Sequence, residues 1–84
     1  MNHYASNGFW RHYRKLPNHI QRLADRSFAV LKEKPRHPAL HLKKVDRYWS
    51  VRIGRRYRAL AVEIEEGLLW FWVGNHSKYD KLLG

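Results

Sequence analysis

Hydrophobic residues recur along this chain with two different periods, and the change falls between residues 35 and 40. Phe9, Tyr13 and Leu16 stand at i, i+4 and i+7, one face of a first helix that Ser6 or Asn7 can cap. Residues 1–5 before it read as a frayed end or a short edge strand. Pro17 closes the first helix and suits the first turn of the next. Ile20, Leu23, Ala24, Ser27, Phe28 and Leu31 then keep a helical period, while Gln21, Arg22, Asp25, Arg26 and Lys32 fill the opposite face. Pro35 and Pro38 stop the helices and make a loop. Beyond them the period drops towards two. Leu40 to Val45 reads as a strand, Asp46-Arg47 as a tight turn, and Tyr48 to Ile53 as an alternating strand with Trp49, Val51 and Ile53 on one side. Gly54 and Arg55 begin a turn. Tyr57 to Ile64 is apolar on both faces, as in a central strand. Glu65-Glu66-Gly67 turns the chain into a last strand, Leu68 to Val73. Gly74 breaks that strand, and Ser77 can cap a short helix, Lys78 to Leu83.

The fold class that follows is α+β. A helical hairpin packs on one face of a four-stranded antiparallel meander, with a short C-terminal helix after it. Trp70 and Trp72 are expected on one strand face, and with Trp49 they are expected in the core. The length of 84 residues predicts one domain with a modest core.

Charge changes the picture. Seventeen Lys and Arg face seven Asp and Glu, a formal net charge of +10. Such a field draws in polyanions: nucleic acid, an acidic protein or an anionic membrane surface. With no cysteine there is neither a disulfide framework nor a zinc–thiolate site. His37 and His41 have no metal-ligand spacing with a carboxylate, so no metal and no cofactor are expected, and His3, His12 and His19 read as surface residues. No Gly-rich phosphate loop, Ser/His/Asp arrangement or isolated carboxylate pair argues for an NTPase, a serine hydrolase or a glycosidase. No apolar N-terminal run reads as a signal peptide and no stretch is long enough to span a bilayer, so the cytoplasm is the expected location.

Several segments carry a family likeness. They are Lys34-Pro35-Arg36-His37-Pro38-Ala39-Leu40-His41-Leu42-Lys43-Lys44, Tyr48 to Gly54, Tyr57-Arg58-Ala59-Leu60, and Trp70 to Leu82 with Gly74-Asn75-His76-Ser77-Lys78-Tyr79-Asp80 at its centre. In this order they resemble the RelE/ParE superfamily of type II toxins over roughly residues 8–83. The resemblance implies a helical hairpin on an antiparallel sheet. It also implies a toxic activity held in check by an antitoxin. RelE-like members cleave mRNA on the ribosome, and ParE-like members poison DNA gyrase. RelE-like nucleases use a basic cluster on the strands and a functional residue near the C-terminus, a tyrosine in some branches and a histidine in the HigB- and YafQ-like ones. This chain offers both, His76 and Tyr79. Asn75-His76 stands where the RelE pattern has an arginine after the last strand.

Metal-free RNA cleavage needs a base for the 2′-hydroxyl, cations for the charge gathering on phosphorus, and an acid for the departing 5′-oxygen. Imidazole is suited to proton transfer near neutral pH. His76, in the turn after the last strand, is therefore the candidate acid or base; the plainer alternative is a surface histidine. Arg58 at the start of the central strand can grip a phosphate through two parallel hydrogen bonds, or pair with Glu63 or Asp80. Arg52 alternates onto the polar side of its strand beside it. Lys43 and Lys44 point to opposite faces, so only one can join Arg52, and the sequence leaves open which. Arg55 and Arg56 lie in a turn suited to steering RNA. Tyr79 can stack on a base, donate a proton or pack the last helix. Lys78 is a phosphate contact or a solvated charge.

Three functions fit these residues. The first is a ribosome-dependent mRNA endoribonuclease. The second is a gyrase inhibitor that uses His76 to Tyr79 as a contact surface. The third is a weakly toxic family member that binds RNA or an antitoxin. In each the antitoxin is expected to be an acidic, partly disordered segment that wraps the basic, aromatic surface.

Overall fold

The computed structural model describes residues 2–83. The order is β1 (His3–Ala5), α1 (Asn7–Arg14), α2 (Asn18–Glu33), a 3₁₀ turn (Pro38–Leu40), β2 (Lys43–Val45), β3 (Tyr48–Ile53), β4 (Tyr57–Ile64), β5 (Gly67–Asn75) and α3 (His76–Leu83). Ser6 caps α1 by accepting a hydrogen bond from the Phe9 N–H at 3.2 Å. The helical period places Leu16, Ile20, Ala24 and Leu31 against Val51, Ile53, Ala59, Ala61, Trp70 and Val73 in one core. Phe28, expected on that buried stripe, stays exposed, with His3 against its ring edge and the Lys32 ammonium over its face.

The sheet has five strands in the order β1-β5-β4-β3-β2 and is mixed, which corrects the expected four-stranded antiparallel sheet. The meander is present, and β1 joins its edge parallel to β5, with His3 beside Leu68 and Ala5 beside Trp70. The added strand depends on Gly67. A Cβ there would lie 2.2 Å from the Asn2 carbonyl oxygen, which accepts from the Leu68 N–H at 3.0 Å. Only a residue without a side chain lets the chain approach this closely.

Three further expectations change. The strand expected from Leu40 shortens to Lys43–Val45, because Pro38 opens a 3₁₀ turn that the His37 ring caps and His41 closes in the left-handed region, at φ 46°. Trp49 is half-buried rather than core, and its indole N–H donates to Glu63 at 2.7 Å. Gly74 does not end the last strand, which runs on to Asn75. The cap of α3 is the Asn75 side chain, accepting from the Lys78 N–H at 2.9 Å, in place of Ser77.

The two tryptophans of β5 part company. Ala61 pairs with Trp70 and Leu60 with Trp72, so Phe71 is an extra residue, a β-bulge. Trp70 joins the core under the helices. Trp72 joins Leu60 and Tyr79 in a second small cluster, with Tyr48, Phe71 and Leu83 packed against it. The bulge therefore corrects the expectation that Trp70 and Trp72 share a face. It also supplies apolar support for α3 on the face away from α2.

Candidate nucleic-acid interface

Register decides which side chains share that second face. The Asp46-Arg47 turn, with Asp46 at φ 58°, pairs Val45 with Tyr48, Lys44 with Trp49 and Lys43 with Ser50. Directly opposed residues project to the same side. Lys44 therefore lies with Trp49 on the helix side, where its ammonium sits 3.5 Å from Glu63. Lys43 lies on the other side with Ser50 and Arg52. Between β3 and β4, Arg52 stands directly opposite Arg58.

These two arginines form the centre of the site. Opposed like charges on neighbouring strands repel. Among the described residues neither has a carboxylate within salt-bridge distance. Glu63 and Asp80, the possible partners of Arg58, are engaged elsewhere: Glu63 with Trp49 and Lys44, Asp80 with His76. Arg58 donates one bond to the Tyr57 carbonyl at 2.9 Å and holds its guanidinium 5.9 Å from the Tyr79 ring centre. Burial, and then the charge of Arg52, lower its pKa; Tyr79 and Asp80 act in the opposite sense. The Arg52 Nε is buried without a partner, and its Nη1 lies 3.4 Å from His41 Nε2. A guanidinium with an unused buried N–H and a like-charged neighbour is arranged to receive an anion.

The helix α3 carries the remaining groups over this face. Its first residue, His76, donates its backbone N–H to the Arg56 carbonyl, which ties the β3–β4 turn to the start of the helix. The His76 Nδ1 lies 3.0 Å from Asp80 one turn later. That contact orients the ring and leaves Nε2 for another partner. Tyr79 is buried, with its ring 5.8 Å from that of His76, so the one ring neighbours both His76 and Arg58. Lys78 is exposed at the start of α3, and Arg55 and Arg56 are exposed in the β3–β4 turn.

The fold thus brings Lys43, Arg52, Arg58, Tyr79 and His76 to one side of the sheet, sets Arg55, Arg56 and Lys78 at its rim, and turns Lys44 away. It adds His41, which the sequence reading left aside. The signal was present: counting back from the Asp46-Arg47 turn, residue 43 meets residue 50, and residue 41 falls level with residue 52. The reading of His3 and His12 as surface residues also changes. His3 accepts from the Trp70 indole N–H at 3.0 Å, and the His12 ring lies 6.2 Å from that of Trp72. Burial is the main cause that lowers the pKa of each.

A groove of about 250 Å³ opens on the helix side, lined by apolar residues of β1, α1, α2 and the sheet. Tyr4, Trp10 and Phe28 stand exposed along it. No helix among the described residues is long and apolar enough to cross a membrane.

Comparison with known proteins gives this arrangement a family. No curated protein matches the chain in sequence. The fold is similar to that in the RelB-RelE antitoxin–toxin complex from Methanococcus jannaschii, at 14% identity and TM-score 0.73, over 96% of this chain and 99% of that one. It is similar to the isolated E. coli RelE toxin, at 16% identity and TM-score 0.63, over 95% and 93% of the two chains. It is also similar to a chain of the intact E. coli RelBE toxin–antitoxin complex, at 19% identity and TM-score 0.62, over 86% and 92%. Residues 18–81, most of the chain, match the ParE-like toxin domain family. From α2 to α3, across the whole meander and the arginine pair it carries, the chain belongs to the ParE-like toxin domain family of the RelE/ParE superfamily.

Proposed function

We propose that the chain is the toxin of a type II toxin–antitoxin pair and that it cuts mRNA on the ribosome. The observation that carries this reading is the direct opposition of Arg52 and Arg58, free of carboxylates, on the face over which α3 holds His76. In the cut, the 2′-oxygen attacks phosphorus, loses its proton and displaces the 5′-oxygen, which gains one. Arg52 and Arg58 bind the non-bridging oxygens and stabilise the charge that builds on them. His76 moves a proton through Nε2, with its ring held by Asp80. Lys43 on β2 and His41 just before it extend the phosphate contact. Lys78, Arg55 and Arg56 guide the strand into place. Tyr79 packs α3 on the sheet and braces Arg58. The ribosome orients the message, which supplies the positioning that so small a site lacks.

The partner is an antitoxin whose acidic segment neutralises the basic face. Its apolar residues fit the groove beside Tyr4, Trp10 and Phe28, and the net charge of +10 matches an acidic chain. Membership of a ParE-like family favours a second reading, in which the same face inhibits DNA gyrase without cutting RNA.

Primer extension on a message in a cell-free translation reaction tests the first reading. Ribosome-dependent cuts that vanish with His76→Ala support it. An uncut message together with inhibited supercoiling overturns it in favour of gyrase. Cuts that persist in the variant keep the nuclease and remove His76 from the proton transfer.

A further inference from the structure

A second concave site lies across β5 from the arginine pair. It is a cleft of about 200 Å³ between the end of α1, the turn into α2 and the start of α3. His12, Lys15 and Lys78 line it, with Tyr57, Trp72 and Asn75 as its harder walls. The cations come from elements far apart in sequence, so their convergence is a product of the fold and not a run of surface lysines. The bulge at Phe71 makes the meeting possible, because it turns Trp72 to this side, where its ring meets that of His12 at 6.2 Å.

The electrostatics of the cleft are one-sided. The groups acting on His12 are burial, Lys15, Arg11 and Lys78, all of which disfavour its protonated form. Among the described residues no carboxylate acts on it to offset them. Converging positive groups around a cleft with no counter-charge are stabilised by a bound anion. Gly74 connects the two sites. It lines this cleft and is the direct cross-strand partner of Arg58. The wall of the cleft at Gly74 therefore stands one strand spacing, ~4.8 Å, from the backbone of Arg58, and one nucleic-acid strand crossing β5 passes both.

We propose that this cleft is a second phosphate subsite, in which His12, Lys15 and Lys78 hold the phosphodiester of a nucleotide flanking the one bound at Arg52 and Arg58. The proposal rests on the reading of the chain as an RNA-cutting toxin. Phosphate binding favours the imidazolium form of His12 and so reverses the local bias against its proton. It also ties the C-terminal end of α1 and the start of α3 to the same strand of RNA.

The test uses the intact chain and a single-stranded 2′-deoxy hexanucleotide, which lacks the attacking hydroxyl and cannot be cut. NMR follows the His12 ring protons and the arginine Nε–H signals through a pH titration with and without this probe. The expected result is a rise in the His12 titration midpoint together with shifts at Arg52 and Arg58. Lys15→Ala combined with Lys78→Ala, both at exposed positions, should weaken binding several-fold. The double variant should also flatten the slope of log K against log salt by about 0.7, the value for one phosphate of a single strand. Shifts at the arginines with an unmoved His12 and an unchanged salt slope would overturn the subsite and leave the proposed function standing. A moved His12 with silent arginines would keep the subsite and overturn the proposed function's phosphate site. No response at any of the three overturns both.

Discussion

Arg52 and Arg58 face each other across β3 and β4 as direct cross-strand partners, although each would lower the other's cost of folding by being neutral. Their like charges repel and neither has a carboxylate partner among the described residues, so removing the charge of Arg52 separates stability from function. Arg52→Met keeps the apolar stem and removes the unpartnered buried Nε. It is expected to leave stability unchanged or to raise it by up to about 1 kcal/mol in chemical denaturation. The same variant should lose ribosome-dependent cleavage by about a hundredfold or more, the scale of a lost transition-state donor. A variant that unfolds more easily and still cuts would reverse the assignment.

Asp80 acts on the chemistry through His76. Asp80→Asn keeps the size of the side chain and removes the charge that holds Nδ1 at 3.0 Å. The expected result is a fall in cleavage rate of at least about tenfold, from a ring no longer held in place. Antitoxin binding and the denaturation midpoint should be almost unchanged, since both side chains are exposed. An unaltered rate would show that the ring needs no such support.

Gly74 is required by packing and not by backbone conformation. A Cβ at this position would meet the Trp72 ring at 2.5 Å. Gly74→Ala is therefore expected to destabilise the fold by about 1–3 kcal/mol, the cost of overpacking. Pairing it with Trp72→Leu, which clears the space, should recover part of that loss when the double variant is compared with Trp72→Leu alone. Additive losses in the double variant would show that the strain arises elsewhere.

His3 makes the anchoring of β1 sensitive to acid. Its Nδ1 accepts the Trp70 indole N–H at 3.0 Å, which only the unprotonated nitrogen can do, and burial lowers its folded pKa below the ordinary value of 6.5. The unfolded chain thus binds this proton more readily. The stabilisation is fully present above about pH 6.5 and is lost as the pH falls through the lower folded value. Between pH 7.5 and 5 the chain should lose part of this stabilisation, at most the ~1 kcal/mol that one hydrogen bond is worth. His3→Leu should remove this part of the pH dependence. Denaturation curves at several pH values for both chains would check it, and parallel pH profiles would refute the role.

Much of the fold was legible because it depends on short-range pattern. The helical spacing of Ile20, Ala24 and Leu31, the stops at Pro35 and Pro38, and the turn at Asp46-Arg47 all follow from neighbours along the chain. The turn even contained the register, and with it the choice of Lys43 over Lys44 and the approach of His41 to Arg52. Periodicity carried that information only as far as each strand kept strict alternation. At Phe71 alternation fails, so Trp72 moves to the opposite face from Trp70.

What the sequence by itself determined was the order of elements, the excess of cations and the candidates Arg52, Arg58, His76 and Tyr79 for one site. These depend on residue type and on spacing within a few positions. The tertiary structure decided the fifth strand, the opposed arginines' lack of carboxylate partners, the pairing of His76 with Asp80, and the meeting of His12 with Trp72. Each of these results from distant segments competing for the same partners. Asp80 can serve His76 or Arg58, Gly67 can admit β1 only if Asn2 arrives beside it, and such choices are settled by packing in three dimensions.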